Sequence, residues 1–314
     1  MNLRKILSIF CFILIFTLLI TGFVLVSRYN NSESNTPIYS NVKTYTPSGS
    51  TPVPQINKSY NILVTCEEAG VADDIFILNY SPDTNNVNLL TIPGNYKTIE
   101  GIKMSATLGD KGALGLINNL KANFDLSIKY YVKFDYTAFV EIINILDGVT
   151  YAIPYDFKSA TTNLSSNQSV YSGKMAVELF RFRDPFDNKY TKTMLESSYD
   201  GTQYKRTLMH ADFIFALLTQ KANSEYLSKI QEIITTCGKR IETNLTQKNI
   251  DKVLEDAPGI IIKRINQYII VGVDENDLNG FFKFSNLVKE VSVSEREYEL
   301  SYVVETYFKS DSIA

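Results

Sequence analysis

The sequence predicts an α/β protein: a three-layer α-β-α sandwich around a mixed central sheet, preceded by one transmembrane helix. Two observations carry this. A charge-free apolar run, Ile6 to Val26, stands near the start of the chain. From Tyr60 onward, short β-branched and aromatic runs alternate with segments of helical period, the pattern of strands layered with helices. No internal repeat interrupts that order, and residues 60–314 are within range for one α/β domain.

The elements follow in order. Residues 6–26 at about 1.5 Å per residue span roughly 30 Å, a hydrocarbon core's thickness. Arg4 and Lys5 precede the run, so residues 1–5 read as a cytoplasmic tail and the rest as extracytoplasmic. The run exceeds a signal-peptide core, and Leu25-Val26-Ser27 makes a poor cleavage site, which favours an uncleaved anchor in the plasma membrane. Residues 27–59 hold Pro37, Pro47, Pro52 and Pro54 among Ser, Thr and Asn, the composition of a flexible stalk. Asn61–Thr65, Asp74–Tyr80 and Val87–Ile92 read as strands, the last two joined by the turn formers of Ser81–Asn86. Lys111–Phe124 has helical spacing, and Lys129–Tyr136 alternates like a strand. Thr137 is a candidate N-cap for a helix over Ala138–Leu146, with Gly148 at its left-handed end. Val149–Ile153 is a strand. Met175–Leu179, Gln203–Lys221 and Glu225–Cys237 are helical by period. Ile260–Ile265, Tyr268–Val273 and Tyr298–Tyr307 read as strands.

Composition excludes several chemistries. The 314 residues contain one His, His210, and three Cys, Cys11, Cys66 and Cys237. A two-His zinc helix or a zinc finger cannot be built from that set, and no G-x-S-x-G elbow is present. Removing Arg4, Lys5 and Arg28 from the 31 basic residues leaves 28 against 34 acidic ones, net −6. An acidic ectodomain argues against nucleic acid as a partner. What remains is chemistry by carboxylates, Arg, Lys, hydroxyls or a hard cation, or binding alone. His210 reads as a half-exposed or satisfied helix residue, and Cys66 and Cys237 as small buried residues.

Several segments in order resemble the LytR–CpsA–Psr (LCP) family of cell-envelope proteins. Asn61-Ile62-Leu63-Val64-Thr65-Cys66-Glu67-Glu68 stands where the family has N-I-L-L-L-G-x-D. Val71-Ala72-Asp73-Asp74-Ile75-Phe76-Ile77 resembles R-S-D-T-I-M-L, and Thr91-Ile92-Pro93-Gly94-Asn95 resembles S-I-P-R-D. Tyr131–Tyr136 followed by Asp147-Gly148-Val149 is similar to Y-V-x-V-D-F, a helix and G-G-V. Gly173–Arg183 is similar to G-x-x-A-L-x-y-x-R-x-R, and Asp200–Thr207 to D-x-x-R-x-x-R-Q. The resemblance covers about Asn61 to Lys221. It implies an enzyme that moves a phosphorylated glycopolymer from a polyprenyl-pyrophosphate carrier to peptidoglycan, with the lipid tail in an apolar pocket and Mg²⁺ beside the pyrophosphate. Such phosphoryl transfer rests on positioning and charge neutralisation and needs no histidine.

Carried over residue by residue, the resemblance gives Arg181 and Arg183 catalytic and phosphate-binding roles and makes Arg206 a phosphate contact. Asp73, and Glu68 at the family's other Asp position, become metal-side carboxylates. On an extended segment Arg181 and Arg183 would point the same way, with Phe180 and Phe182 into the core; without the family frame they read as a solvated charged face. Asp73 and Asp74, adjacent on a strand, would face opposite sides, so only one could serve a given site. The pattern also departs from the family: Val71, Gly94 and Gln203 stand where it has Arg, and Asn95 and Thr207 replace its Asp and Gln. Two readings follow, an LCP transferase or a non-catalytic relative that binds carrier lipid or glycan or modulates LCP paralogues.

Overall fold

The computed structural model describes residues 59–81, 84, 86–153, 156–158, 163–181, 203–221, 226, 229–246, 262–274, 282–290 and 297–308. The tail, the anchor and nearly all of the stalk lie outside the described residues, as does Arg183. Among the described residues no helix is long and apolar enough to cross a membrane.

The strands are β1 (Tyr60–Glu68), β2 (Val71–Ser81), β3 (Asn86–Ile92), β4 (Tyr130–Asp135), β5 (Val149–Tyr151), β6 (Phe157–Lys158), β7 (Asn163–Leu164), β8 (Ser169–Tyr171), β9 (Ile241–Thr243), β10 (Arg264–Asp274), β11 (Phe282–Glu290) and β12 (Glu297–Glu299). The helices are α1 (Thr107–Phe124), α2 (Tyr136–Ile145), α3 (Gly173–Arg181), α4 (Gln203–Lys221), α5 (Ile230–Cys237) and α6 (Leu300–Tyr307). Eight strands form one sheet in the order β12-β11-β10-β3-β2-β1-β4-β9. It is mixed: β1 and β4 run parallel, as do β3 and β10, and the other pairs are antiparallel.

Period-two alternation sends successive side chains to opposite faces. Ile62, Val64, Phe76 and Leu78 join a core with α2, α3, α4 and α5; Leu63, Ile75, Ile77 and Ile92 join a second core with α1 and α6. Apolar runs without polar gaps in β1 and β2 are therefore the mark of central strands covered on both sides.

A polar row crosses this sheet. Asn61, Asn79, Asn88 and Asn266 are direct cross-strand partners on β1, β2, β3 and β10, and all are buried. Asn79 donates to Asn61 Oδ1 (2.8 Å), Asn266 to Asn88 Oδ1 (2.8 Å), and Asn88 makes a longer contact to Asn79 Oδ1 (3.4 Å). Asn61 Nδ2 also reaches the carbonyls of Ser127 and Phe308, and Asn88 Nδ2 that of Tyr307. The ladder thus takes up carbonyls at the C-terminal end of α6, where a helix leaves them without internal partners.

Some elements differ from expectation. Tyr298–Tyr307 is a three-residue strand followed by a helix, because Leu300, Val303, Val304 and Phe308 recur at helical spacing and are buried. The two strands expected within 260–273 are one continuous β10. Asp135, not Thr137, caps α2, its carboxylate accepting from Ala138 N (2.8 Å). Gly148 has φ +70°, the expected left-handed ending.

Replacing Asn79 by Leu should lower the midpoint of denaturant unfolding without changing its slope. The expected cost is about 1–3 kcal/mol for each buried amide group left without a partner.

Candidate functional site at the carboxyl ends of β1 and β4

In α/β sheets, ligands bind in the crevice beyond the carboxyl ends of parallel strands. Here that crevice is charged: β1 ends in Glu67 and Glu68, and β4 in Asp135. The chain returns from β1 into β2 through Ala69 and Gly70, with φ +52° and +80°, the positive pair that suits a tight hairpin to strand twist.

Four residues further on, the pairing slips. Cys66 lies opposite Asp74 but Glu67 lies opposite Ala72, so Asp73 is the extra residue of a β-bulge. A bulge breaks the alternation of faces. The Tyr136 hydroxyl, at the start of α2, donates to Asp73 Oδ2 (2.9 Å), and His210 Nδ1, on α4, lies 2.5 Å from Asp74 Oδ1. Since α2 and α4 cover the same face of the sheet, both carboxylates serve one side, contrary to the expectation from simple alternation.

Arg181 is the last residue of α3, so the extended Arg-x-Arg segment expected here is helical at its first arginine. Helix α3 sits close to α2 because Gly173 has no side chain: a Cβ there would lie 2.1 Å from the Val140 carbonyl oxygen. At the other end of α3, the Arg181 guanidinium lies 4.9 Å from the Tyr136 ring centre and 2.5 Å from Glu68 Oε1. Both partners of that ion pair are about half exposed. Phe180 is buried as expected, and its ring lies parallel to the His210 imidazole, 4.1 Å away and 4° from coplanar. Arg206, expected at a phosphate, is 1% exposed and donates to the Phe180 carbonyl (2.6 Å). The structure therefore brings Glu68, Asp73 and Arg181 together through Tyr136 and sets Arg206 behind them.

His210 is fully buried with Nδ1 at Asp74, so of the two expectations, half exposed or satisfied, the first fails. Burial pushes its pKa below the ordinary value, and the Asp74 carboxylate offsets this only in part. Nδ1 is the ring nitrogen that faces Asp74. Among the described residues, His210 Nε2 and Asp74 Oδ2 have no hydrogen-bond partner. Burial, reinforced by Asp74 and the neighbouring carboxylates, holds Cys66 as a thiol, and the same environment keeps Tyr136 protonated as a donor. Cys66 and Cys237 are free and buried, as expected.

Beneath this cluster, between the sheet and helices α2, α3 and α4, lies an apolar cavity of about 40 Å³. Val64, Cys66, Phe76, Phe139, Phe180 and Leu217 are among its lining residues. On the other side of Glu67 and Asp135 opens a polar groove of about 520 Å³, crossed by the ion pairs Lys133–Glu67 (3.1 Å), Lys133–Glu242 (2.8 Å) and Arg240–Asp135 (2.9 Å).

Where the family pattern has Arg, Val71 is exposed but Gly94 is crowded. A Cβ at Gly94 would lie 3.2 Å from Ser105 Cβ and 3.3 Å from the Ala72 oxygen. Pro93–Tyr96 is a tight turn closed by Tyr96 N to Pro93 O (3.1 Å). Among the described residues no three His, Cys, Asp or Glu side chains converge on one cation position. Asp73 and Glu68 are nonetheless hard oxygen donors, and magnesium commonly takes only one or two carboxylates, completing its shell with phosphate and water.

Tyr136, Asp74 and His210 were not singled out from the sequence as site residues. The Asp135-Tyr136 pair lay in a recognised segment, but nothing in linear spacing announces a bulge or a contact spanning residues 74 and 210.

The fold and site define an α/β sandwich with a charged crevice over an apolar interior. The chain belongs to the LytR_cpsA_psr family, whose model matches residues 23–298. It is 21% identical over 241 residues to the Bacillus subtilis polyisoprenyl-teichoic acid–peptidoglycan teichoic acid transferase TagU, covering 72% of this chain and 73% of that protein. Across curated relatives the matched stretch is 43% to 73% of the relative's own length, below two thirds for several of them. The crystal structure of B. subtilis TagV superposes with a TM-score of 0.57 at 18% identity, covering 79% of this chain and 95% of that one. A structure of TagT bound to LIIa-WTA gives 0.52 at 14% identity, covering 84% and 94%. At these identities the superpositions show a shared fold.

With a single histidine, the imidazole signals seen by NMR should hold their neutral position as pH falls from 8 past about 6.5. A folded pKa below the unfolded one means that this contribution to stability is complete above about pH 6.5 and is lost as pH falls toward the folded value. Thermal melts across that range should show the loss, and the double variant Asp74→Leu with His210→Phe, which leaves no stranded carboxylate, should flatten it.

Proposed function

We propose that this chain is a membrane-anchored LCP protein of cell-wall assembly that binds a polyprenyl-pyrophosphate-linked glycopolymer and transfers it to peptidoglycan. In this reading residues 6–26 span the plasma membrane, with the N-terminus cytoplasmic and the domain outside. The observation that carries it is the Arg181–Glu68 pair beside Tyr136 and Asp73, set directly over an apolar cavity. A charged rim above a dry interior has the polarity of a lipid pyrophosphate.

The chemistry follows from the strength of these contacts. An exposed ion pair such as Arg181–Glu68 contributes only about 0–1 kcal/mol, so an arriving diphosphate can displace Glu68. Arginine then binds phosphate oxygens through paired N–H groups, and Arg183 would add a second fork. Asp73 and the freed Glu68 are the residues that would hold Mg²⁺, which when bound neutralises charge on the pyrophosphate. The apolar cavity is far below the roughly 300–1,000 Å³ of a typical ligand pocket. A lipid tail therefore requires α2 and α4 to part from the sheet. Cell-wall paralogues are further candidate partners.

A non-catalytic relative that binds the same lipid or glycan is the second reading, favoured by Val71, Gly94 and Gln203. Each lost oxyanion donor of this kind typically removes about 2.7–4 kcal/mol of transition-state stabilisation. Gly94 has no space to restore a side chain cheaply.

Three measurements on the full chain in detergent test these readings. Geranylgeranyl pyrophosphate should bind, and Arg181→Ala should weaken it about tenfold or more, consistent with the loss of a charge-assisted contact. In EDTA, Glu68→Gln should tighten binding severalfold by removing the competing carboxylate; no change would show that Glu68 does not gate Arg181. Leu217→Trp, which fills the cavity, should weaken the lipid pyrophosphate but not inorganic pyrophosphate. Binding without turnover or polymer transfer would leave the non-catalytic reading; no binding at all would refute both.

A further inference from the structure

We infer that Asp74, His210 and Arg206 are positioning residues that clamp Phe180 and thereby hold Arg181 over the site. The inference rests on the reading above only in assigning Arg181 to a phosphate; the clamp itself stands on geometry.

Arg206 and His210 are four residues apart on α4 and so share one face of it. Both reach the same residue of α3. Arg206 holds the Phe180 backbone through its carbonyl (2.6 Å), and His210 holds the side chain through the parallel ring contact at 4.1 Å. Asp74 orients the imidazole from the bulge (2.5 Å). Phe180, His210, Arg206 and Asp74 are 2%, 0%, 1% and 3% exposed. The next residue, Arg181, is half exposed, and outside this cluster it meets Glu68 and the Tyr136 ring.

A buried Asp–His pair and a buried arginine are costly to build, because each polar group removed from water needs a partner. His210 Nε2 and Asp74 Oδ2 show that full hydrogen bonding is not what this arrangement achieves. What it achieves is a fixed final turn of α3. That turn is where a single arginine must be aimed if its guanidinium is to meet a diphosphate in one orientation. With Val71, Gly94 and Gln203 lacking guanidinium groups, the placement of Arg181 carries more of the binding.

The test uses two readouts on the full chain in detergent. The first is the rate at which phenylglyoxal labels Arg181, followed by peptide mass mapping; it needs no ligand. The second is affinity for inorganic pyrophosphate. His210→Ala should raise labelling and weaken pyrophosphate binding, each about three- to tenfold, and the affinity effect should vanish in an Arg181→Ala background. The double variant Asp74→Leu with His210→Phe keeps a stacked ring without a stranded carboxylate and should restore both readouts. If His210→Ala does not fold, Phe180→Leu removes the stacked ring while keeping an apolar side chain and is read the same way. Unchanged labelling in a folded variant overturns the clamp, as does an affinity loss that persists without Arg181. If the wild-type chain binds no pyrophosphate, the proposed function fails, and labelling alone decides the clamp.

Discussion

The amide ladder of Asn61, Asn79, Asn88 and Asn266 is the constraint on which the rest of the structure depends. A one-residue slip would send each of these amides to the other face of the sheet and strand every donor and acceptor in the row. The ladder sets β1 against β2 from one end. With that register held, Cys66 falls opposite Asp74 at the other end, and β2 has one residue too many between that pair and the turn. The excess is Asp73. The bulge that places two carboxylates on one face is thus the far-end consequence of pairing decided at the near end.

From the bulge outward, each layer of the site holds the next. Asp73 accepts from Tyr136, whose ring lies beside Arg181; Asp74 orients His210, which faces Phe180. The strong, buried contacts lie deep, and the weak, exposed Arg181–Glu68 pair lies at the surface. That gradient suits a binding site. The deep contacts hold geometry, whereas an exposed ion pair costs little to separate.

The chain belongs to the LytR_cpsA_psr family. Where the resemblance read from the sequence places arginine, the chain has a valine, a glycine and a glutamine. At the Gly94 turn, Ser105 and the Ala72 carbonyl stand closer to an added Cβ than ordinary van der Waals contact. Such a position has adapted its packing, so a simple reversion there would meet crowding, whereas Val71 is exposed.

The sequence by itself determined the alternation of strands and helices, the central strands with their two-sided apolar runs, the β2–β3 hairpin and the helix of Gln203–Lys221. It also exposed the scarcity of His and Cys and, through ordered segments, the family. These are local properties, set by periodicity and turn chemistry within a few residues. It misread Tyr298–Tyr307 as a strand because alternating tyrosines and valines satisfy both periods, and packing against the second core selected the helix. It placed Asp73 and Asp74 on opposite faces, left His210 open between half exposed and satisfied, and put Arg181 on an extended segment. Each of those outcomes depended on a partner far away in the chain: the bulge on strand register, His210 on Asp74, and Arg181 on the packing of α3 against α2 and α4. Only the tertiary structure could decide them, because burial and pairing between distant segments are not properties of any single stretch of sequence.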